Sequence, residues 1–316
     1  MRLGSLAAIA VVSTIVLSAC GANENPQPDS SAAFSGELNG GGASSQSSAS
    51  DAWIAAFQTA NPNVTINYSP DGSGAGRKAF MSGGVSYAGS DSALSAEELT
   101  QKFAACAAGS GALDLPVYIS PIALIFNIDG VDTLNLDSST IAKIFSGDIT
   151  KWDDAAIVAL NPGTKLPGDS ITAVHRSDDS GTTKNFTDYL SKTAPEEWDA
   201  APADTFPYSG GEAAQGTSGV VDAVTNGKNT IVYADASRAG ALGVAAIKVG
   251  DTFVDYTAAA AAEVVAGSPL VEGRNVNDIA IALDRTTTDP SHYPLVLVSY
   301  LIVCQEYADS KVGALV

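Results

Sequence analysis

The sequence contains few basic residues, and this shortage limits what the protein can bind. Of 316 residues, 16 are Lys or Arg and 35 are Asp or Glu, so the formal net charge is −19. Non-specific binding of nucleic acid needs a positively charged surface. The composition therefore excludes nucleic acid as a partner. Any anion that the protein binds must be held by local hydrogen-bond donors rather than by the overall field.

Residues that commonly bind metals or nucleotides are also scarce. There are two histidines, His175 and His292, and neither has the His/Asp spacing typical of a metal site. The P-loop pattern is absent, and Arg77 stands where a dinucleotide-binding fingerprint would have its last glycine. We therefore predict no metal and no cofactor, and we expect neither a nucleotide-binding protein nor a metalloenzyme.

The first twenty residues, MRLGSLAAIAVVSTIVLSAC, predict a secretory signal over residues 1–20. A basic start precedes an apolar run that is too short to span a membrane. The LSAC ending resembles a bacterial lipobox, which implies that Cys20 carries lipid and anchors an extracytoplasmic protein to the outer face of the cell membrane. The alternative is ordinary cleavage with Cys20 incidental. Residues 21–35 are polar and predict a flexible tether.

Two further cysteines remain, Cys106 and Cys304. Paired cysteines are usual in exported proteins, so we predict a disulfide between them. The alternative is two buried free thiols.

Apolar runs alternate with helical patterns along the rest of the chain, which predicts an α/β protein. The predicted helices cover 51–60, 95–105, 138–147 and 182–190, and the predicted strands cover 64–69, 115–127, 171–176, 229–234 and 293–304. Helix 95–105 begins with Ser95 and has Glu98 three residues later, as in a capping box. In such proteins, ligands bind where strand ends meet helix starts.

Three turns combine glycines and hydroxyls just before a helix: NGGGASSQ (39–46), DGSGAGRK (71–78) and HRSDDSGTTKNF (175–186). The unpaired N–H groups and the positive dipole end of a helix favour an anion at such a place. Arg176 could add a bidentate guanidinium contact. Each turn alone is explained by helix capping, and so is Asp91 in the segment YAGSDSAL (87–94). Three such turns in one chain shift the balance toward a binding site.

Two longer blocks carry a resemblance to a known family. The segment IFSGDITKWDD (144–154), followed by LNPG (160–163), and the segment RSDDSGT (176–182) resemble the phosphate-binding proteins (PstS) of bacterial ABC-type phosphate uptake systems. The similarity runs from about residue 36 onward. It implies a two-lobed periplasmic-binding-protein fold of type II with its ligand in the cleft between the lobes. Lobe 1 would comprise residues 36–119 and 291–316, with further C-terminal helices expected in the family, and lobe 2 residues 120–290.

The resemblance also implies a set of phosphate ligands. They are Ser44, Ser73, Asp91, Arg176, Ser180, Gly181 and Thr182, with Asp178 holding the arginine. Ser45 is an alternative to Ser44, because the first turn departs from the family pattern at Gly41. Asp91 would accept a hydrogen bond from a protonated phosphate oxygen. Sulfate offers no such proton, and a mismatched buried contact costs about 1–3 kcal/mol.

The implied function is capture of inorganic phosphate outside the cell and its delivery to the membrane permease of an ABC transporter. The protein would not be an enzyme. One rival is a binder of another oxyanion, such as sulfate or molybdate. A second is a secreted phosphatase with Ser73 or Ser180 as nucleophile, although the sequence shows no metal ligands or activating base for it. A purely structural surface role is the last alternative.

Overall fold

Strands and helices alternate in the computed structural model, which describes residues 34–316. The strands in that range are β1 (Gly36–Gly42), β2 (Val64–Ser69), β3 (Tyr87–Ser90), β4 (Ala112–Asn127), β5 (Asn135–Leu136), β6 (Thr172–Arg176), β7 (Glu212–Ala214), β8 (Thr230–Asp235), β9 (Gly243–Val249), β10 (Thr252–Val254) and β11 (Val296–Cys304). The helices are α1 (Ser47–Ala60), α2 (Ser73–Ser82), α3 (Ala96–Leu99), α4 (Ser138–Ser146), α5 (Ala155–Leu160), α6 (Gly181–Thr193), α7 (Gly216–Asn226), α8 (Ala258–Gly267) and α9 (Ser310–Leu315). The predicted signal, the lipid site at Cys20 and nearly all of the predicted tether lie outside the described residues.

The sheet has two parallel parts joined by antiparallel strands. Its main strand order is β2-β1-β3-β11-β4-β8-β6-β7. Strands β2, β1 and β3 are parallel to one another, as are β8, β6 and β7, whereas β11 is antiparallel to both β3 and β4. Ligands of α/β sheets bind beyond the carboxyl ends of parallel strands. This topology therefore offers two groups of strand ends.

Strand β4 connects the two parts of the sheet. Residues 112–121 pair with β11 apart from Val117, and from Ile122 onward the strand pairs with β8 and β9. The segment from Ile122 to Phe126 is fully buried, because its alternate side chains enter two different hydrophobic clusters. Strand β4 continues through Pro121, at the point where the pairing with β11 ends.

The block that carries most of the family resemblance builds the core rather than a binding site. Asp137 caps the start of α4 by accepting a hydrogen bond from Thr140 N at 2.8 Å, and Gly147 ends the helix in a left-handed conformation with φ +91°. Phe145 and Trp152 are buried in the largest hydrophobic cluster. There Phe145 meets the ring of Phe186 at 4.8 Å in an edge-to-face contact.

The helix predicted over residues 95–105 is wrong in length. The capping box between Ser95 and Glu98 is present, but α3 ends at Leu99. The chain then turns so that Phe103 packs against Phe80, with ring centroids 5.8 Å apart, and Cys106 reaches Cys304. Tertiary packing therefore overrides the helical pattern.

The predicted disulfide between Cys106 and Cys304 is present. It joins the segment before β4 to the end of β11, across 198 residues of sequence. Residues 34–316 form one unit by their contacts, and the proposed boundaries of two lobes within it stay a prediction. Within the same residues, no helix is long and apolar enough to cross a membrane.

Candidate functional site

The centre of the candidate site is Asp91, directly after β3. Its carboxylate is buried and accepts hydrogen bonds from three hydroxyl groups, which come from distant parts of the chain. Ser45 Oγ lies 2.7 and 2.6 Å from the two carboxylate oxygens, Thr182 Oγ1 lies 2.9 Å from Oδ2, and Ser299 Oγ lies 2.8 Å from Oδ1. Asp91 is therefore much more than the helix cap that its local sequence suggests.

Burial and hydrogen bonding act in opposite directions on the ionisation of Asp91. Burial raises the pKa of its carboxyl, because removal from water disfavours the charged form. The hydrogen bonds from Ser45, Ser299 and Thr182 oppose that rise, and the nearby Asp235 adds to it. The hydroxyl donors thus favour the ionised, acceptor form of this carboxyl group, whereas burial disfavours it.

The backbone of Asp91 ties the second turn to the third. Its N–H donates to Ser73 Oγ at 3.1 Å, and its carbonyl accepts from Asn185 Nδ2 at 2.7 Å. Gly181 lies against the same group: a Cβ atom there would stand 2.6 Å from Ser73 Oγ and 2.8 Å from Asp91 Cβ. Only glycine permits this approach of the α6 start to β3.

The start of α2 fits closely against the third turn. Gly72, with φ +104°, precedes Ser73, and a side chain at Gly72 would stand 2.5 Å from Asp178 Oδ2. Gly74 N donates to the carbonyl of Asp179 at 3.0 Å. The second and third turns, about a hundred residues apart in the sequence, therefore form one wall of the site.

Arg176, at the end of β6, is buried and paired with Asp178. Its Nε donates to Asp178 Oδ1 at 2.7 Å, and its Nη2 donates to Oδ2. Asp178 also accepts from Gly216 N at 3.0 Å. Although burial opposes its ionisation, the arginine and the Gly216 amide hold the pKa of Asp178 below its usual value. The guanidinium of Arg176 is thus fixed in direction by Asp178.

Ser180 caps α6 by accepting a hydrogen bond from Thr183 N at 3.2 Å. The hydroxyl of Thr183 lies 2.8 Å from that of Tyr233 on β8. Ser180, Gly181 and Thr182 are all buried at this helix start. The α6 start therefore lies beside Asp91 and follows closely after Arg176.

The first turn divides its two serines between different partners. Ser44 Oγ lies 3.0 Å from Thr217 Oγ1 and accepts a hydrogen bond from Thr217 N at 3.0 Å, whereas Ser45 binds Asp91. The turn itself is compact, because a Cβ at Gly42 would stand 1.9 Å from the carbonyl oxygen of Gly89. Both serines thus face other site elements.

Sequence reasoning missed the turn before α7 and the contribution of β11. The segment QGTSG (215–219) has the same glycine and hydroxyl character as the three predicted turns, so it carried a usable signal. Ser299 lies in an apolar strand, and nothing local marks it. Of the predicted ligand positions, Ser73, Gly181 and Thr182 nevertheless lie against Asp91. Ser44 contacts Thr217 of α7, Arg176 pairs with Asp178, and Ser180 caps α6.

His175 takes no part in this cluster. Its ring stacks on Phe206 with centroids 4.1 Å apart, and its nitrogens lie near the carbonyl oxygens of Arg176 and Gly210. In residues 34–316, no group of three His, Cys, Asp or Glu residues could hold a metal ion. The site therefore consists of hydroxyls, amides, one paired arginine and one buried carboxylate, which suits a small tetrahedral oxyanion.

Comparisons with known proteins agree with this geometry. A family model described as a PBP superfamily domain matches residues 27–314. The chain is 35% identical over 323 residues to the phosphate-binding protein PstS 3 of Mycobacterium leprae (strain TN), covering 97% of this chain and 87% of that protein. The chain belongs to the PstS phosphate-binding protein family. A more distant member, from Xylella fastidiosa (strain 9a5c), is 29% identical over 291 residues and covers 91% of this chain and 77% of that protein.

Solved structures support the membership in this PstS family. A periplasmic phosphate-binding protein solved with bound phosphate matches with a TM-score of 0.69 and 26% identity, over 87% of this chain and 82% of the other. An ABC-type phosphate transport receptor from Vibrio cholerae matches with a TM-score of 0.54 at 15% identity, over 88% of this chain and 91% of the other. The second likeness shows the shared fold alone, and together they identify the type II periplasmic-binding-protein architecture.

Proposed function

We propose that this protein binds inorganic phosphate at the site around Asp91 and delivers it to the permease of an ABC transporter. The observation that carries the proposal is the buried Asp91 carboxylate, surrounded by hydroxyl donors and close to the start of α6. An extracytoplasmic position, with lipid at Cys20 as the anchor, is part of the proposal. The names of the PstS relatives and the bound phosphate in a related structure support it.

The proposed ligand set is the one that the family resemblance implies: Ser44, Ser73, Asp91, Arg176, Ser180, Gly181 and Thr182. Phosphate at neutral pH carries negative charge and keeps at least one proton. Arg176 and the amides at the helix starts would bind its charged oxygens. Asp91 would accept a hydrogen bond from the protonated oxygen. Against sulfate, which carries no proton, the carboxylate would face an oxygen of like charge that repels it.

Binding requires the two parts of the sheet to move apart and close again, with β4 and β11 as the connecting strands. Contacts such as Thr182 to Asp91 and Ser44 to Thr217 join residues before β4 to residues after it. These pairs would form on closure. The protein would thereby present a distinct loaded state to the permease.

The test is calorimetry with phosphate, sulfate and molybdate on the wild type and on Asp91→Asn. At neutral pH we expect the wild type to bind phosphate alone and the variant to gain sulfate binding, because an amide can donate to a deprotonated oxygen. Sulfate binding as tight as phosphate binding in the wild type would refute the proposal. A protein that binds none of the three ions would favour a structural role.

The proposal includes no catalysis. A chromogenic phosphate ester tests this directly, with Ser180→Ala as the matched variant. Turnover by the wild type that disappears in the variant would overturn the assignment as a binding protein.

A further inference from the structure

Ser299 reaches Asp91 from a strand that no sequence pattern connects with the site. It lies on β11, 208 residues after Asp91, and is fully buried. The pairing of β11 with β4 is irregular at this place. Ser299 pairs with Tyr118 and Tyr300 pairs with Pro116, so Val117 has no partner in the register. Bulges of this kind redirect side chains beside functional sites.

The acceptor capacity of Asp91 is nearly filled by protein donors. A carboxylate has about four acceptor positions. The hydroxyl of Ser45 is shared between both oxygens, Thr182 occupies one position on Oδ2, and Ser299 occupies one on Oδ1. About one position remains for a proton carried by a ligand. The carboxylate can serve this purpose only while it is ionised.

The charged and titratable groups near Asp91 do not stabilise its ionised form as the three hydroxyl donors do. Asp235, at the end of β8, repels the charge, and Tyr68 on β2 is a neutral phenol whose own pKa is raised, mainly by burial and also by Asp91. Arg176 lies in the same site but is neutralised by Asp178. The ionised form therefore depends on the neutral hydroxyl donors.

We infer that Ser299 is a positioning residue that keeps Asp91 a hydrogen-bond acceptor and thereby sets the pH range in which the site rejects sulfate. This inference rests on the proposed function and adds a specificity-determining residue outside the expected ligand set. Above the pH at which Asp91 loses its proton, the ionised carboxylate repels sulfate. Below it, protonated Asp91 becomes a donor and can bind a fully deprotonated oxyanion.

The test measures phosphate and sulfate affinity from pH 4.5 to 8.5 in the wild type and Ser299→Ala. Loss of one hydrogen bond should favour protonation of Asp91 by about five- to tenfold. We expect sulfate binding to begin at a pH higher by about 0.7 to 1 unit in the variant. Phosphate binding should persist at the alkaline end.

Ser120→Ala is the matched control, because Ser120 is a buried serine on the neighbouring β4 whose hydroxyl donates to the carbonyl of Pro121 rather than to Asp91. In this control variant, sulfate affinity should depend on pH as it does in the wild type. Ser299→Cys keeps a weak donor in almost the same volume. It should shift the profile in the same direction by less, and it replaces Ser299→Ala if that variant does not fold.

The outcomes separate the two proposals. If the wild type binds phosphate but the Ser299 variants share its sulfate profile, the role of Ser299 is refuted while the proposed function stands. If the wild type binds no phosphate at any pH, both are refuted.

Discussion

The guanidinium of Arg77 lies 2.8 Å from the carboxylate of Asp204, although 127 residues separate them in the sequence. Arg77 is buried on α2 and also pairs with Glu98 at 2.9 Å. Although burial opposes ionisation, the arginine holds the pKa of Glu98 below its usual value. This ion pair joins the chain before β4 to the chain after it, beside the Asp91 site.

The ion pair between Arg77 and Asp204 should slow the release of phosphate. In Asp204→Asn this partly buried charge pair is broken, so we expect phosphate to dissociate about ten times faster. Stopped-flow fluorescence with a phosphate trap measures this rate. Lys78→Ala is the control, because the Lys78–Asp179 pair is exposed and should change the rate by less than about twofold. Equal release rates in wild type and Asp204→Asn would contradict a role in closure.

Substitution of Gly181 by alanine should damage the site without unfolding the protein. The added methyl group would meet Ser73 Oγ and Asp91 Cβ at less than 3 Å and push α6 away from β3. Overpacking of this kind predicts a loss of phosphate affinity of about 10- to 100-fold by calorimetry. Gly267→Ala, at the end of α8 where a Cβ meets no atom within 4 Å, should bind like the wild type. An unchanged affinity in Gly181→Ala would show that this close contact is dispensable.

The disulfide should contribute to stability but not to binding. Because the bond closes a long loop, the double substitution Cys106→Ala and Cys304→Ala should lower the free energy of unfolding by about 3–5 kcal/mol in urea titrations. Cys304 lies at the far end of β11 from the bulge, about 17 Å along the strand from Ser299. Phosphate affinity should therefore change by less than about threefold. A reducing agent should destabilise the wild type and leave the double variant unaffected.

Asp114 makes stability depend on pH. Burial, and then the neighbouring Asp278, raise its pKa to about 7, while Leu94 N and the shared Arg274 oppose the shift. The folded protein therefore binds a proton between about pH 4 and pH 7 that the unfolded chain releases. It follows that the contribution of Asp114 to the free energy of unfolding decreases as the pH rises through this window.

The variant Asp278→Asn tests this pH dependence, since it removes the second negative charge beside Arg274. Urea titrations at pH 4.5, 6 and 7.5 should show a smaller decrease in stability with rising pH than in the wild type. Asp129→Asn is a suitable control, because the Asp129–Lys228 pair is exposed. A wild-type slope that Asp278→Asn leaves unchanged would refute the assignment to Asp114.

The sequence predicted the parts of the site that depend on local chemistry. The three glycine and hydroxyl turns stand at helix starts, and Asp178 holds Arg176, because a helix start and an i,i+2 ion pair involve only neighbouring residues. The predicted α/β class was confirmed, because the alternation of strand and helix patterns is also a local property of the sequence. The pairing of Cys106 with Cys304 followed from their number and from the expected compartment.

Other features could not be predicted because they depend on residues far apart in the chain. The sequence left Ser44 and Ser45 as alternatives, and only the packing of β1 against β3 directs Ser45 to Asp91. The helical pattern of 95–105 gave way to the burial of Phe103. The ion pair between Arg77 and Asp204 joins segments that no local pattern relates.

The amino-acid sequence by itself determined the turns, the acidic charge and the residue types that can hold a small oxyanion. Local hydrogen bonding, helix capping and composition fix those properties. Only the tertiary structure decided which hydroxyls surround Asp91, because Ser45, Thr182 and Ser299 meet there through strand pairing and a bulge. The ionisation of a buried carboxyl group depends on the donors that packing brings to it, and these donors come from three separate regions of the chain.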